Sequence, residues 1–321
     1  MISHEMMLFT GNANPALAQK IAEYLKMEVS AAEVARFPEG EISVQIGVHV
    51  RGADIFLIQG TSPPPNENMM ELLIMIDALK RASAGRITAV LPFYGYARQD
   101  RKDRPRVPIT AKLVANLIVA AGADRLLTID LHTAQIQGFF DIPVDHLYGA
   151  VVFLRNLEKV FPAARRQDLV VVSPDVGGIK LANHFARHLN RPLAIVDKRR
   201  KSDTVAEAFN LIGQVKGKDV LIIDDLVSTA TSLIAAASIL KDNGARDIFA
   251  AVTHPVLAGS ALEKINKSVI NTLWVTDTIP LNSAAGRSPK IKVVSVAPLL
   301  GEAIKKIHEN TPISILFEHS E

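Results

Sequence analysis

Cysteine is absent from the 321 residues of this chain. Disulfide bonds, thiolate metal sites and thiol nucleophiles are therefore excluded together. Aromatic residues make up only 5% of the chain, and the formal net charge is only +3. Such a small charge does not require a nucleic-acid partner. No stretch reaches the roughly 18 consecutive apolar residues of a membrane span, so we expect a cytoplasmic protein without a membrane partner.

Short apolar runs alternate along the chain with longer helical stretches. The chain is 48% apolar, and at roughly 150 residues per domain its length predicts two domains. The alternation is typical of an α/β fold in which helices flank a mostly parallel sheet. The predicted strands are 55–58, 87–91 and 126–129, and the predicted helices are 71–83 and 111–121. Ligands of such sheets bind beyond the carboxyl ends of the strands.

The sequence repeats itself internally. Residues 50–59 align with 215–224 at an offset of 165, and residues 8–18 align with 172–182 at an offset of 164. Two duplicated βα domains are therefore predicted, covering residues 1–148 and 149–321. We expect the last residues, Ile313 to Phe317, to form a strand that returns to the first domain.

A strand followed by two carboxylates and a hydroxyl-rich turn is the most informative motif. Residues 220–223 are predicted as a buried parallel strand, and residues 233–240 as the next helix. Between them lie Asp224, Asp225, Ser228, Thr229, Ala230, Thr231 and Ser232. A phosphate there would meet the free N–H groups of the helix N-terminus and the hydroxyls, while the carboxylates could bind sugar hydroxyls or hydrated Mg²⁺. The alternative is an ordinary strand and capped helix, which leaves two costly buried carboxylates unexplained.

The corresponding loop of the first repeat has a different composition. Gln59 stands where the second repeat has Asp224, and Pro63, Pro64 and Pro65 follow. Prolines have no backbone N–H, so this loop cannot hold a phosphate in the same way.

The segment Phe93 to Arg104 combines aromatic, cationic and acidic residues after the strand 87–91. Arg98 could stack on a base or pair with phosphates, and Gln99 could bond a base edge, so the segment indicates nucleotide binding. A solvated charged loop is the alternative.

Two further acidic turns follow predicted strands. Asp130 and His132 are expected on one face of a strand end, because alternate strand residues point the same way, and they could help to hold Mg²⁺. A structural role is the alternative. In the turn Ser173 to Gly178, two glycines permit positive φ and would leave the Asp175 side chain free.

Four consecutive cations occupy Lys198 to Lys201. Such a run is usually solvated, and an exposed nucleic-acid patch is another interpretation. Because the other motifs indicate phosphate and nucleotide binding, we favour the interpretation that residues 198–201 form a mobile catalytic loop, which stabilises negative charge in a phosphoryl-transfer transition state.

The string from Asp224 to Ser232 resembles the ribose 5-phosphate loop of ribose-phosphate pyrophosphokinases, and of type I phosphoribosyltransferases more broadly. Family members usually have Asp-Thr-Gly/Ala-Gly-Thr where this chain has Ser-Thr-Ala-Thr-Ser from Ser228. Tyr96 to Lys102 matches the ATP-binding segment of the family. Arg36 to Glu41 resembles its Arg-Phe-x-x-Gly-Glu turn, which contributes adenine contacts from a neighbouring subunit. The resemblance covers nearly the whole chain and includes Thr128 to Phe140.

The resemblance implies two duplicated type I phosphoribosyltransferase-like domains and a set of site residues. For ATP it implies Phe37, Glu39, Gly40, Glu41, Arg98, Gln99, Asp100 and Asp103. For ribose 5-phosphate it implies Arg200, Asp224, Asp225, Ser228, Thr229, Ala230, Thr231 and Ser232. It implies Lys198 and Arg200 as catalytic residues and His132, Asp130 and Asp175 as Mg²⁺ residues.

The implied reaction transfers the β,γ-diphosphoryl group of Mg-ATP to the C1 hydroxyl of ribose 5-phosphate. Family members assemble as hexamers built from dimers, and many respond to ADP and inorganic phosphate, which we expect here by analogy. One alternative is a catalytically silent regulatory relative that associates with an active enzyme. A nucleobase phosphoribosyltransferase is another, but it leaves the segment from Arg98 to Asp103 unexplained. The chain has no Gly-x-x-x-x-Gly-Lys-Ser/Thr string, which disfavours a P-loop kinase.

Overall fold

A computed structural model describes residues 5–156, 161, 167–199 and 208–316. The chain packs as two units that divide after Tyr148. Unit 1 contains the chain through Tyr148 together with Thr278–Pro280 and Val296–Leu316, and unit 2 contains Gly149–Asp277 and Leu281–Ser295. Unit 1 is thus built from separate parts of the chain. Which substrate each half binds remains a prediction.

The secondary structure alternates between strands and helices, as the sequence indicates. The strands, numbered in chain order, are β1 Met6–Thr10, β2 Ala32–Arg36, β3 Ile42–Ile46, β4 Asp54–Ile58, β5 Arg86–Leu91, β6 Arg125–Ile129, β7 Val144–Leu147, β8 Leu169–Ser173, β9 Leu193–Arg199, β10 Ala208–Ile212, β11 Asp219–Val227, β12 Ile248–Pro255, β13 Thr272–Thr276 and β14 Ile291–Val294. The helices are α1 Pro15–Leu25, α2 Pro65–Arg81, α3 Thr110–Ala121, α4 Ala150–Arg155, α5 Ile179–His188, α6 Thr231–Asp242, α7 Ala261–Lys267, α8 Ser283–Gly286 and α9 Ala297–His308. Short 3₁₀ turns occupy Ala134–Phe139 and Ser314–Leu316.

Each unit has its own central sheet. In unit 1 the described strands follow the order β1-β4-β5-β6-β7, and every neighbouring pair is parallel. In unit 2 the order is β10-β9-β8-β11-β12-β13-β14, and only β10 runs antiparallel to its neighbour among the described strands. The strands β2 and β3 form a separate antiparallel hairpin. The predicted α/β fold with mostly parallel sheets is confirmed.

The central strands are buried because helices cover both faces of each sheet. Every residue of β4, β8 and β12 is buried. Their apolar runs are continuous rather than alternating, which is the pattern of a parallel strand with two covered faces. The core of unit 1 gathers around Leu57 and Leu72, and that of unit 2 around Ile222 and Leu240. The carboxyl ends of the strands are thereby left as the natural ligand-binding edge.

The internal repeat is visible at the first residues of two equivalent strands. Asp54 opens β4 and is 3% exposed, and Asp219 opens β11 and is 1% exposed. Arg86 donates two hydrogen bonds to Asp54, of 2.7 and 2.6 Å, and Arg246 Nε donates one to Asp219 at 2.7 Å. Both repeats therefore satisfy a buried strand-opening carboxylate with an arginine.

The predicted strand at residues 313–317 was wrong. Ser314–Leu316 forms a 3₁₀ turn, in which the Leu316 N–H donates to the Ile313 carbonyl at 2.8 Å, and Leu316 is buried. A short apolar run cannot be assigned to strand or helical turn by periodicity alone. Phe317 lies outside the described residues.

Candidate active site

Asp224 and Asp225 lie within a strand of unit 2, not beyond its end. The sequence predicted that this strand stops at Ile223, but β11 continues to Val227, and Asp224 pairs in register with Val252 of β12. The Asp225 N–H donates to Asp224 Oδ1 at 2.9 Å. Burial raises the pKa of Asp224 well above its usual value, and the charges of Asp225 and Asp175 raise it further. The site concentrates negative charge that a cation or sugar hydroxyl donors would stabilise.

The hydroxyl-rich turn leads directly into α6. Ala230 occupies the N-cap position in a left-handed conformation, with φ 60° and ψ 7°, and its side chain has no oxygen to cap the helix. Its carbonyl accepts the Ile234 N–H at 3.0 Å. Thr229, Thr231 and Ser232 are exposed. An anion can therefore take the capping place at the first-turn N–H groups.

The hydroxyls of the turn are connected to one another and to a lysine. Thr229 Oγ1 lies 3.2 Å from Thr231 Oγ1, and Lys264 Nζ donates to Thr231 Oγ1 at 3.2 Å. Sequence reasoning missed Lys264, because it lies on α7 and nothing in its local sequence relates it to the turn. The Ser228 carbonyl accepts the Ala258 N–H at 3.0 Å, so the segment before α7 is also fixed to the turn.

Asp175 lies just beyond β8, as expected, but its side chain is not free. Its Oδ1 accepts the Gly178 N–H at 2.9 Å, and Ser173 Oγ donates to its carbonyl at 2.7 Å. Neither glycine uses the positive φ that it permits: Gly178 has φ −80°, and Gly177 does not adopt a positive φ. Asp175 is exposed, and its charge raises the pKa of Asp224. Unit 2 therefore brings together the three carboxylates that the sequence singled out.

Lys198 lies in a strand rather than in the predicted mobile loop. It belongs to β9 and pairs in antiparallel register with Phe209 of β10. A run of charged residues can continue a strand where tertiary pairing stabilises it, which overrides the local sequence signal. Arg200 and Lys201 lie outside the described residues.

In unit 1, the segment from Phe93 to Arg104 is anchored at its start and exposed further on. The Tyr94 hydroxyl donates to the Ala111 carbonyl at 2.8 Å, and burial raises the pKa of Tyr94. The Gly95 N–H donates to Thr61 Oγ1 at 2.6 Å. Arg98 and Asp103 are exposed. The start of the segment is thus fixed to the fold, while the charged side chains of Arg98 and Asp103 are exposed to solvent and available to a nucleotide.

Two candidate segments of unit 1 are in contact. Thr133 Oγ1 donates to Asp100 Oδ2 at 2.8 Å, which joins the segment around Arg98 to the one that follows β6. Gln99 Oε1 accepts the Thr110 hydroxyl at 2.6 Å, at the start of α3. These bonds fix the relative positions of the candidate nucleotide and metal residues.

The expectation that Asp130 and His132 share one face of a strand was wrong. The strand β6 ends at Ile129, Asp130 adopts a left-handed φ of 38°, and the alternation of faces stops there. Asp130 is 7% exposed, whereas His132 is exposed.

Behind this turn lies a histidine that the sequence did not indicate. His146 Nε2 accepts the Leu131 N–H at 2.9 Å, and His146 Nδ1 lies 3.3 Å from Gln137 Nε2. Tyr148 packs against the His146 ring with centroids 4.8 Å apart. Burial and the charge of Asp130 raise the pKa of Tyr148. No local motif marks His146, since its role depends on the pairing of β6 with β7.

The turn from Arg36 to Glu41 forms the tip of the β2–β3 hairpin. The Phe37 N–H donates to the Glu41 carbonyl at 2.9 Å, and Gly40 has a positive φ of 98° that favours glycine. Phe37 is 50% exposed, and Glu39 and Glu41 are exposed as well. Arg36 forms an ion pair with Glu67 of α2, which holds the hairpin tip. An exposed aromatic ring on a fixed turn can stack on a base.

In unit 1, Gln59, which aligns with Asp224, bonds side chain and backbone groups of the protein itself. Gln59 Nε2 donates to Glu71 Oε1 at 2.8 Å, and Gln59 Oε1 accepts the Ala13 N–H at 3.1 Å. Glu71 also accepts the backbone N–H of Asn12. A side-chain carboxylate thus bonds the backbone of the loop that aligns with the Asp175 turn of unit 2. That the proline-containing loop after Gln59 cannot hold a phosphate stays a prediction.

No helix in the described part of the chain is both long and apolar enough to cross a membrane.

Known proteins resemble this chain over almost its whole length. The family described as the N-terminal domain of ribose phosphate pyrophosphokinase matches residues 6–122, and the family described as phosphoribosyl synthetase-associated domain matches residues 202–318. The chain is 54% identical to a ribose-phosphate pyrophosphokinase of Thermosipho africanus, over 98% of each chain. It is 55% identical to the enzyme of that name from Thermotoga maritima, over 98% of this chain and 99% of the relative.

A solved structure supports the same relationship. The phosphoribosylpyrophosphate synthetase of Mycobacterium smegmatis superimposes with a TM-score of 0.89 and 43% identity, covering 95% of this chain and 99% of that one. This chain therefore belongs to the ribose-phosphate pyrophosphokinase family.

Proposed function

We propose that this chain transfers the β,γ-diphosphoryl group of Mg-ATP to the C1 hydroxyl of ribose 5-phosphate. The products are 5-phosphoribosyl 1-pyrophosphate and AMP, for nucleotide, histidine and tryptophan biosynthesis. The observation that carries this proposal is the turn of unit 2, where Asp224 and Asp225 precede a helix N-terminus without a side-chain cap. Family membership supports the same reaction.

Ribose 5-phosphate would bind along this turn. Its phosphate would accept hydrogen bonds from the N–H groups of the first turn of α6 and from the hydroxyls of Ser228, Thr229 and Thr231. Its sugar hydroxyls would donate to Asp224 and Asp225. Ala230 leaves the capping place to the phosphate, and Ser232 adds a further exposed hydroxyl. The sugar is thereby fixed at both ends.

ATP would bind to the candidate segments of unit 1. Arg98 would pair with phosphates or stack on the base, and Gln99 and Asp100 would be held by their bonds to Thr110 and Thr133. Asp103 belongs to the same exposed segment. The turn with Phe37, Glu39, Gly40 and Glu41 would contact the adenine of an ATP bound to a neighbouring subunit.

In the reaction, the C1 oxygen attacks the β-phosphorus, and the bond from that phosphorus to the oxygen bridging to the α-phosphorus breaks. AMP leaves with the bridging oxygen, and the hydroxyl proton is released. Lys198 and Arg200 would neutralise the charge that develops on the β-phosphoryl oxygens and on AMP. Positioning and charge neutralisation would supply most of the acceleration.

Mg²⁺ fits the carboxylates of unit 2. Within the described residues, no group of three or more His, Cys, Asp or Glu side chains could hold a metal ion alone. Mg²⁺ keeps several waters and needs only one or two carboxylates besides substrate phosphates. Asp175 and the raised pKa of Asp224 indicate a place that gains from a cation. When bound, the ion would supply charge neutralisation at the phosphates, and in unit 1 Asp130 and His132 would serve the ATP-bound ion.

By likeness to the family, we also propose a homo-oligomer, a hexamer built from dimers, in the cytoplasm. ADP and inorganic phosphate are the proposed regulators.

The proposed reaction predicts AMP release that depends on the sugar. Purified protein would be given ATP, Mg²⁺ and ribose 5-phosphate in the presence of inorganic phosphate, with a control that lacks the sugar. We expect AMP and 5-phosphoribosyl 1-pyrophosphate in equal amounts, and neither in the control. Folded protein that binds ATP but forms no AMP would contradict the proposal and favour the regulatory alternative.

A further inference from the structure

Lys264 is a cation at the proposed sugar-phosphate turn that the reaction described above does not use. It lies on α7, and its ammonium donates to the Thr231 hydroxyl at 3.2 Å. Thr231 is the first residue of α6, and its hydroxyl lies 3.2 Å from that of Thr229. The ammonium therefore lies beside the helix end and the hydroxyls that would hold the phosphate.

Backbone hydrogen bonds fix the position of α7 relative to this turn. The Leu257 N–H donates to the Val227 carbonyl at 3.0 Å, and the Ala258 N–H donates to the Ser228 carbonyl at 3.0 Å. Ala261 and Ile265 of α7 are buried in the same core as Leu233 of α6. Lys264 is thus carried on a segment that is attached to the turn at two points.

The positive charge of Lys264 would offset the repulsion between a bound phosphate and the nearby carboxylates. A phosphate dianion at α6 would lie near the carboxylates of Asp224 and Asp225, which repel it. Hydroxyls and backbone N–H groups donate hydrogen bonds but carry no full charge. An ammonium has three N–H donors, and one bond to Thr231 leaves capacity for an anion at the same place.

We propose that Lys264 is a binding residue for the 5-phosphate group of the sugar substrate, oriented by Thr231. This inference rests on the proposed function, because it takes the turn of unit 2 as the sugar-phosphate site. Lys264 supplies the positive charge of that subsite and sets the affinity for the phosphate end of the substrate. It has no part in ATP binding or in the transfer step.

The test compares steady-state kinetics of Lys264→Ala with those of the unchanged enzyme, varying ribose 5-phosphate and ATP separately. We expect KM for ribose 5-phosphate to rise about tenfold, equivalent to about 1.4 kcal/mol, while kcat and KM for ATP change less than about twofold. Lys264→Arg should restore most of the affinity because it keeps the charge. Lys267→Ala is the matched control, since Lys267 is an exposed cation on the same helix that pairs with Glu263.

Salt provides a second readout. The Lys264 contact is exposed. The difference in KM for ribose 5-phosphate between Lys264→Ala and the unchanged enzyme should therefore shrink as ionic strength rises toward about 1 M, where the Debye length falls to about 3 Å. A purely structural role would leave the difference unchanged by salt. Thermal unfolding of Lys264→Ala checks that the fold is kept.

Thr229→Val separates the two proposals. If Thr229→Val raises KM for ribose 5-phosphate and Lys264→Ala does not, the sugar-phosphate turn stands and the role of Lys264 is overturned. If neither Thr229→Val nor Asp224→Asn changes that KM, the sugar site is misplaced and the inference fails with it. A rise in KM for ATP in Lys264→Ala would also overturn the inference.

Discussion

At the scale of single residues, Asp224 is a carboxylate whose surroundings disfavour its own charge. Burial is the main cause of its raised pKa, followed by the charge of Asp225. A raised carboxyl pKa in the folded state means that the folded protein binds protons more tightly than the unfolded chain. The ligand-free protein therefore loses stability as pH rises from the ordinary Asp value of 3.8 through the raised pKa. Binding of a substrate or a cation at the site would restore the stability that the folded protein loses in this way.

Asp224→Asn should consequently stabilise the ligand-free protein at neutral pH. We expect a rise in Tm of about 2–4 °C, or about 1 kcal/mol, since the amide keeps the shape and removes the charge. The gain should shrink as pH falls below the ordinary Asp value of 3.8, where Asp224 becomes protonated in both the folded and the unfolded state. Thermal unfolding between these pH values measures it. Asp242→Asn, at an exposed position of α6, is the control, and an Asp224→Asn gain independent of pH would contradict this cause.

The acidic and hydroxyl residues of the turn could be predicted because they are consecutive in the sequence. Lys264 and His146 could not, since their contacts with Thr231 and Leu131 exist only after helices and strands have packed. The sequence also could not predict that the His132 side chain is exposed while that of Asp130 is buried. The left-handed conformation of Asp130 ends the alternation of faces, and only the folded backbone shows it.

At the scale of elements, the sequence predicted the strands 55–58, 87–91 and 126–129 to within one residue, but it misjudged the extent of β11 and α2. The strand β11 continues through both aspartates because β12 pairs with it as far as Pro255. The helix α2 begins at Pro65, whose fixed φ suits a first helical turn, well before the predicted start at Glu71. The end of β11 thus depends on a partner strand, whereas the start of α2 depends on a local proline.

Gly95 shows how closely the elements of unit 1 approach one another. A Cβ at this position would lie 2.5 Å from the Thr61 carbonyl oxygen and 3.0 Å from its Oγ1. Gly95→Ala should therefore destabilise the protein by about 1–3 kcal/mol, because backbone must move to admit a methyl group. The same movement would shift the candidate nucleotide segment and raise KM for ATP.

Denaturant unfolding together with ATP kinetics measures both effects. Gly138→Ala is the matched control, since a Cβ there would have no atom within 4 Å. Equal stability of the two alanine variants would contradict the packing argument.

At the scale of the whole molecule, unit 1 is completed by residues from the other end of the chain. His308 of α9 contacts Asp54 through Nδ1 at 2.7 Å, while Arg86 bonds both Asp54 and the Ile307 carbonyl. The helix α9 also packs on α1, where Tyr24 bonds Glu302. The sequence predicted that the last residues return to the first unit, but it did not reveal that α9 belongs to that unit as well.

Asp54→Asn should therefore cost much more stability than removal of an ordinary surface ion pair. Asp54 is buried, and its loss leaves Arg86 partly buried without its main partner, so we expect destabilisation of about 3–5 kcal/mol. Asp77→Asn breaks a similar but exposed pair with Arg81 and should cost less than about 1 kcal/mol. Thermal or denaturant unfolding compares the two. Similar losses in both variants would show that the Asp54 cluster does not hold α9 in place.

The discontinuous make-up of unit 1 also bears on synthesis by the ribosome. Residues through Tyr148 emerge first, yet Val296–Leu316 belong to the same unit. At about 5–20 residues per second, these two parts are separated by roughly 7–30 s of translation. During that interval the faces of α1 and β4 that later receive α9 are exposed in the nascent chain. The half of the protein that is translated first thus cannot complete its packing until nearly the whole chain has been made.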